Sequence, residues 1–166
     1  MIALHDFNHL PHEKALALIQ PCVALPGWAD ALALGRPYAS REELFRTANA
    51  LTQNWDEAAL AQALSAHPRI GEKPAGSQAE AAWSRQEQGA VNEGDAALAR
   101  ALREGNARYE ARFGRVFLIR AKGRSGEDIL QALHARLENS DAQEIRAALE
   151  QLREITLLRL EGVISE

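Results

Sequence analysis

An all-α fold is predicted for this chain on three observations. Leucine and alanine dominate while β-branched and aromatic residues are scarce, a bias that favours helix almost everywhere. Helix-start signals with capping-box spacing recur along the chain. The apolar residues that follow those signals repeat at helical intervals. The expected architecture is a single-domain helical bundle of about eight helices, with residues 1–166 forming one domain.

Residues 11–19 and 26–34 are expected helices opened by Pro11 and Pro26, whose fixed φ suits a first turn; Gly35 closes the second. In Ser40-Arg41-Glu42-Glu43 the serine can accept from a backbone amide while Glu43 reaches back, and Leu44, Ala48 and Leu51 mark one face. Residues 56–66 form another helix, ended by Pro68. Ser77-Gln78-Ala79-Glu80 repeats the start signal. Asp95 can cap a helix carrying Leu98, Leu102, Tyr109 and Phe113, which Gly114 stops. Ser125-Gly126-Glu127-Asp128 begins the next, with Ile129, Leu130, Leu133 and Leu137 inward. Ser140-Asp141-Ala142-Gln143 begins the last, where Ile145, Leu149, Leu152, Ile155 and Leu158 continue the stripe. One stretch departs from helical spacing. Val116-Phe117-Leu118-Ile119 is a continuous apolar run resembling a buried strand, yet the sequence offers it no partner strand. It is either helical or an extended buried connector.

The length of 166 residues suits one domain with a core that needs neither disulfide nor metal. A net charge of -4, with acidic and basic residues interspersed, argues against nucleic acid as a partner, because phosphate binding needs a concentrated basic face. The single cysteine, Cys22, excludes an intramolecular disulfide and fits a reducing compartment. No run approaches the roughly 18–20 apolar residues of a membrane span. The N-terminal residues lack the pattern of a secretory signal, and Ile164-Ser165-Glu166 is not a peroxisomal address. Cytoplasmic placement is the expectation.

Three stretches can carry chemistry. Leu60, Leu64 and His67 stand at i, i+4, i+7, so His67 falls on the core-facing stripe just where Pro68 disfavours further helix. A histidine half in the core at a helix end can titrate near neutrality and serve as general acid or base. The competing account is a core histidine bonded to a carbonyl or placed favourably by the helix dipole. On a helix begun at Ser77, Ser84, Glu87, Gln88 and Val91 share a face. A hydroxyl, a carboxylate and a carboxamide there can grip a ligand rich in N–H and C=O groups; a solvated surface is the alternative. In Ile119-Arg120-Ala121-Lys122-Gly123-Arg124-Ser125, Gly123 permits close backbone approach and Arg120 or Lys122 can bind a carboxylate. A plain polar loop is the alternative there.

Other signals are weaker. His5, His9 and His12 have the spacing of a metal face, but Pro11 interrupts any helix through them and no further ligands complete a site, so no metal is expected. Cys22 has no evident catalytic partner, and no phosphate- or dinucleotide-binding fingerprint is present. The indoles of Trp28, Trp55 and Trp83 suit packing better than a binding box.

Taken together, the ordered segments resemble a known family. His67-Pro68-Arg69-Ile70-Gly71, then Ser84-x-x-Glu87-Gln88-x-Ala90 at the position of a Ser-x-x-Glu-Gln-x-Gly motif, then Phe117-Leu118-Ile119-x-Ala121-Lys122-Gly123-Arg124-Ser125 are similar to the OHCU decarboxylases. OHCU is 2-oxo-4-hydroxy-4-carboxy-5-ureidoimidazoline, an intermediate between urate and allantoin. Arg36-Pro37-Tyr38, Asn106-x-x-Tyr109-x-x-Arg112-Phe113-Gly114 and Glu154-Ile155-x-x-Leu158-Arg159-Leu160 extend the likeness over roughly residues 8–160. The resemblance implies an all-α, usually dimeric enzyme that needs no cofactor and forms (S)-allantoin by loss of carbon dioxide and stereospecific protonation. It implies His67 as the catalytic acid. It implies substrate contacts from Pro68, from Ser84, Arg85, Gln86, Glu87 and Gln88, and from Ile119, Arg120, Ala121, Lys122 and Gly123. Glu87 is further expected to orient His67 or hold the substrate hydroxyl. Without the resemblance, a helical ligand-binding or interaction module, or a hydrolase or lyase of a related ureido compound, stands beside the decarboxylase.

Overall fold

The computed structural model describes residues 1–67, 69, 70 and 96–166. Pro68 and the helix expected from Ser77, with Trp83 and the 84–88 stretch, lie outside the described residues. Among the described residues there are eight α-helices: α1 (Leu4–His9), α2 (His12–Ile19), α3 (Pro26–Leu34), α4 (Arg41–Ala50), α5 (Glu57–Leu64), α6 (Ala96–Phe113), α7 (Gly126–Arg136) and α8 (Asp141–Glu161). A 3-10 turn occupies Gln20–Cys22, and two short strands, β1 (Ile2–Ala3) and β2 (Ile164–Ser165), pair in parallel with Ile2 opposite Ile164. The all-α expectation holds. No described helix is long and apolar enough to cross a membrane. The coordinates divide into two compact units, residues 1–63 with 153–166, and residues 64–152.

In the first unit, Phe7, Ile19, Trp28, Leu32, Leu44, Leu60 and Leu160 are buried. Arg36 ties its loops together. Its Nη1 donates to the carbonyls of Phe7 at 2.8 Å and Leu10 at 2.7 Å, and its Nε to that of Ala33 at 2.9 Å. The Phe7 and Ala33 carbonyls lie in the last turns of α1 and α3 and also accept from the amides of Leu10 and Arg36. Asn8 and Tyr38 exchange two bonds of 2.9 Å, side-chain amide to carbonyl and backbone amide to side-chain oxygen. The Trp28 indole is buried with its N–H on the Ala48 carbonyl at 3.0 Å, so this tryptophan packs as expected.

The second unit is built on α6 and α7. They approach closely at Gly105, where a Cβ would overlap the side chain of Leu133. Tyr109 stacks against Phe113 and Phe117 with ring centroids 4.7 and 5.2 Å apart. Burial pushes the Tyr109 hydroxyl up to about 12, with the nearby Glu144 carboxylate adding to the shift. The apolar run at 116–119 is neither helix nor strand; it continues to Ala121 as an irregular connector with Phe117, Leu118, Ile119 and Ala121 buried. Burying such side chains gains roughly 1.5–3 kcal/mol each, but a buried backbone group without a partner costs roughly 1–3 kcal/mol. The chain resolves that conflict with side-chain partners. Arg136 Nη1 donates to the Leu118 carbonyl at 2.6 Å, and the Arg120 amide donates to Gln151 Oε1 at 2.9 Å. Arg136 also lies over the Phe117 ring, 4.6 Å from its centroid, and its Nε donates to the carboxylate of Glu144.

The serine caps form as their spacing predicts. Ser125 and Asp128 make a reciprocal box with both bonds at 3.1 Å. Ser140 and Gln143 do the same at 2.9 and 3.2 Å. Ser40 accepts from the Glu43 amide at 3.0 Å, but Glu43 reaches the amide of Ala39, one residue earlier than a closed box would have it. The bonds from Ser125 hold the Asp128 carboxyl below its ordinary value. A depressed carboxylate contributes its stability at neutral pH and loses it as pH falls through the folded-state value. Asp128→Ala should therefore lower stability, measured by urea unfolding at pH 7. The deficit should shrink in acid, and a loss independent of pH would count against the reciprocal bond.

Candidate active site

α5 starts at its cap, Asp56, whose Oδ1 accepts from the Ala59 amide at 2.9 Å. It ends at Leu64, two residues short of the expected limit, and a turn follows in which the His67 amide donates to the Leu64 carbonyl at 3.0 Å. His67 thus sits just past the helix and is half-buried, while Leu60 and Leu64 of the same stripe are buried. Downstream, the Arg69 guanidinium meets the Glu110 carboxylate through contacts of 2.8 to 3.0 Å. The Ile70 carbonyl accepts from the buried Asn106 amide at 3.1 Å.

The second candidate stretch belongs to the same unit. Ile119 and Ala121 are buried, Arg120 is half-buried, and Lys122 and Gly123 are exposed. Gly123 takes φ +83°, a left-handed turn that costs other residues roughly 1–2 kcal/mol and leads the chain to the cap at Ser125. Several backbone groups here are already engaged. The Arg120 carbonyl accepts from Arg124 Nε at 2.8 Å, and the Ala121 carbonyl accepts from the Arg124 amide at 3.1 Å. Among the described residues no acceptor pairs with the amides of Ala121, Lys122 and Gly123. Backbone amides just before a helix start suit an anionic group.

Ile70 joins the two stretches. It is three residues beyond His67, and it shares one apolar cluster with Ile119 and Ala121 as well as Leu98, Leu102 and Tyr109. Pro68, Ser84, Arg85, Gln86, Glu87 and Gln88 lie outside the described residues.

The remaining candidates take structural or unreactive places. Cys22 is buried, and its thiol is pushed up to about 12 by that burial, against the pull of Arg159, so it is no thiolate nucleophile at neutral pH. His9 Nδ1 bonds the His5 carbonyl at 2.7 Å within α1 and the two ring centroids lie 4.4 Å apart, whereas His12 pairs with Asp30 at 3.3 Å. No group of metal-ligating side chains occurs among the described residues. A cleft of about 520 Å³ in the first unit is lined by Leu25, Trp28, Asn54, Trp55 and Gln62 and contains none of the candidate residues.

Residues of the Asn106 to Gly114 motif hold neighbouring segments in place. Besides the Asn106 bond and the aromatic packing, Arg112 donates to the Asn139 carbonyl at 2.7 Å, and Gly114 adopts φ +72° at the helix end. Sequence spacing alone gives no sign of the Ile70 or Asn139 partners, since both lie far along the chain.

Comparison with known proteins decides the family. The model of the OHCU decarboxylases matches residues 8–161. The chain belongs to the OHCU decarboxylase family. It is 33% identical over 149 residues to the 2-oxo-4-hydroxy-4-carboxy-5-ureidoimidazoline decarboxylase of Amia calva, covering 87% of this chain and 81% of that protein. It is 29% identical to the uric acid degradation bifunctional protein PucL of Bacillus subtilis (strain 168), where the match takes in all of this chain but 33% of the relative. Among solved structures, an OHCU decarboxylase crystallised in the presence of (S)-allantoin superposes with a TM-score of 0.72 at 25% identity, covering 92% of this chain and 97% of that one. An (S)-allantoin synthase, at 20% identity, shares the fold with a TM-score of 0.73 over 99% of this chain and 54% of its own. Membership of the OHCU decarboxylase family makes this chain a carboxy-lyase by descent.

Proposed function

We propose that residues 1–166 form one OHCU decarboxylase domain that converts OHCU to (S)-allantoin in urate degradation, with no cofactor and with His67 as the general acid/base. The observation that carries this is the family match over residues 8–161, which embraces every candidate residue. The substrate has a carboxylate and a hydroxyl on one ring carbon and a ureido arm. As the bond to the carboxylate breaks, carbon dioxide leaves and its electron pair passes into the adjacent ring. A proton then arrives on one face. With the ring as electron sink, the protein's task is to hold the substrate and deliver that proton.

In this scheme the His67 imidazole contacts the reacting centre, and Glu87 orients it or holds the substrate hydroxyl. Pro68, Arg85 and Gln86 contact the substrate, and Ser84 and Gln88 hold its ring and ureido groups. The 119–123 stretch completes the pocket, with its amides and the charges of Arg120 and Lys122 suited to the anionic substrate. The enzyme is inferred to act as a homodimer in the cytoplasm, on a small molecule and with no nucleic acid, membrane or metal partner.

Circular dichroism tests the assignment. OHCU is generated from urate by the two upstream enzymes, and optical activity is followed with and without this protein. Spontaneous decay gives racemic allantoin, so a lasting (S)-allantoin signal that depends on the protein and survives chelator is the expected result. A trace no faster than the blank would remove the decarboxylase assignment.

A further inference from the structure

Asn106 is an unusual choice for its position. It is 4% exposed in the middle of α6, its neighbours Leu102 and Tyr109 are core residues, and a leucine there would avoid burying a carboxamide. Its Nδ2 donates to the Ile70 carbonyl, and its Oδ1 has no partner among the described residues. A buried polar group kept at that cost calls for a reason beyond packing. One helical turn on, Glu110 receives the Arg69 guanidinium through two nitrogens. The Ile70 side chain shares the apolar cluster of Leu98, Leu102 and Tyr109 on the same helix. Both described residues that follow His67 are therefore fastened to α6, one by side chain and one by backbone.

We infer that Asn106 and Glu110 are positioning residues that act through the Arg69 and Ile70 anchor points to set where His67 stands. This rests on the role proposed above for His67. A proton donor must be held to within about 0.5 Å of its productive position, and a displacement of 1 Å can cost about a hundredfold in rate. Asn106 fixes the backbone two peptide bonds beyond the residue after His67. Glu110 restrains the same segment from the solvent side.

The test compares Asn106→Ala, Glu110→Arg, Arg69→Glu and the exchanged pair Arg69→Glu/Glu110→Arg, each checked for folding by far-UV circular dichroism. Expected is a kcat roughly 10- to 100-fold lower in Asn106→Ala, with KM changed by less than about threefold. Each charge reversal should lower kcat, and the exchanged pair should recover most of it. His67→Asn identifies the His67 signal in the imidazole NMR spectrum by its disappearance; that signal should move in the Asn106 and single charge-reversal variants while the other four histidines stay in place. Should Asn106→Ala not fold, the partly exposed Arg69–Glu110 exchange decides alone. Unchanged kcat in folded variants, a loss confined to KM, no recovery on exchange, or an unmoved His67 signal would each overturn the inference. A fully active His67→Asn would instead overturn the proposed catalytic role, while the NMR shifts would still report whether α6 positions His67.

Discussion

His67→Asn is expected to lose ~10²–10⁴-fold in kcat, the usual contribution of general acid–base catalysis, while the fold and allantoin binding persist. Asparagine keeps a polar side chain of similar reach but cannot exchange a proton near neutral pH. The site tolerates the change because His67 is half-buried and past the end of α5, so no helical turn and no fully enclosed cavity depends on the imidazole. Turnover is measured by the protein-dependent rise of the (S)-allantoin signal, and binding by calorimetry with allantoin. A variant with normal kcat would exclude His67 as the proton-handling group. A variant with normal kcat and raised KM would reassign it to substrate binding.

The largest stability effect is expected from Glu144→Ala. The Glu144 side chain is fully enclosed and that of Arg136 is 12% exposed, so removing the carboxylate strands a guanidinium with the Leu118 carbonyl as its principal remaining acceptor. Breaking one side of such a buried pair costs about 3–5 kcal/mol. The exposed pair Arg46–Glu42, with side chains 71% and 83% accessible, provides the contrast: its loss should cost at most about 1 kcal/mol. Urea unfolding of both variants makes the comparison. Equal, small losses would mean that the enclosed pair contributes no more than a surface one. Replacing both partners by apolar residues should recover much of the stability lost in Glu144→Ala, although the Leu118 carbonyl then lacks its donor.

What the sequence made legible follows from the range of each interaction. The caps at Ser40, Ser125 and Ser140 join residues three apart, and the residue types announce them. His67 could be placed at a helix end because Leu60 and Leu64 set the stripe and Pro68 set the limit. α1 escaped notice because it has six residues and no side-chain cap, so neither period nor start signal had room to appear. The β1–β2 pair joins Ile2 to Ile164, a pairing with no local trace. For the run at 116–119, an apolar stretch without a period is equally compatible with helix and extended chain. The choice is made by Arg136 and Gln151, which supply hydrogen bonds that an unpaired connector lacks. The same holds for the candidate site: the family motifs pointed to His67 and 119–123, but the contacts of Ile70 that bring their surroundings into one cluster depend on α6, far along the chain.

The connector at 116–119 carries a hazard. Valine, phenylalanine, leucine and isoleucine in succession have the high β-propensity, strong hydrophobicity and absence of charge that mark a cross-β nucleus. Arg115 and Arg120 stand at its two ends as gatekeepers against stacking between chains. In the folded protein the segment is sheltered among α6, with its Tyr109 and Phe113 rings, and α7, with key backbone groups occupied by Arg136 and Gln151. Once those helices open, its backbone is free to pair with the same stretch of another molecule, and aggregation then competes with refolding. Survival of the active protein on heating is accordingly governed by how fast residues 64–152 open, a kinetic quantity, as much as by the depth of the folded minimum.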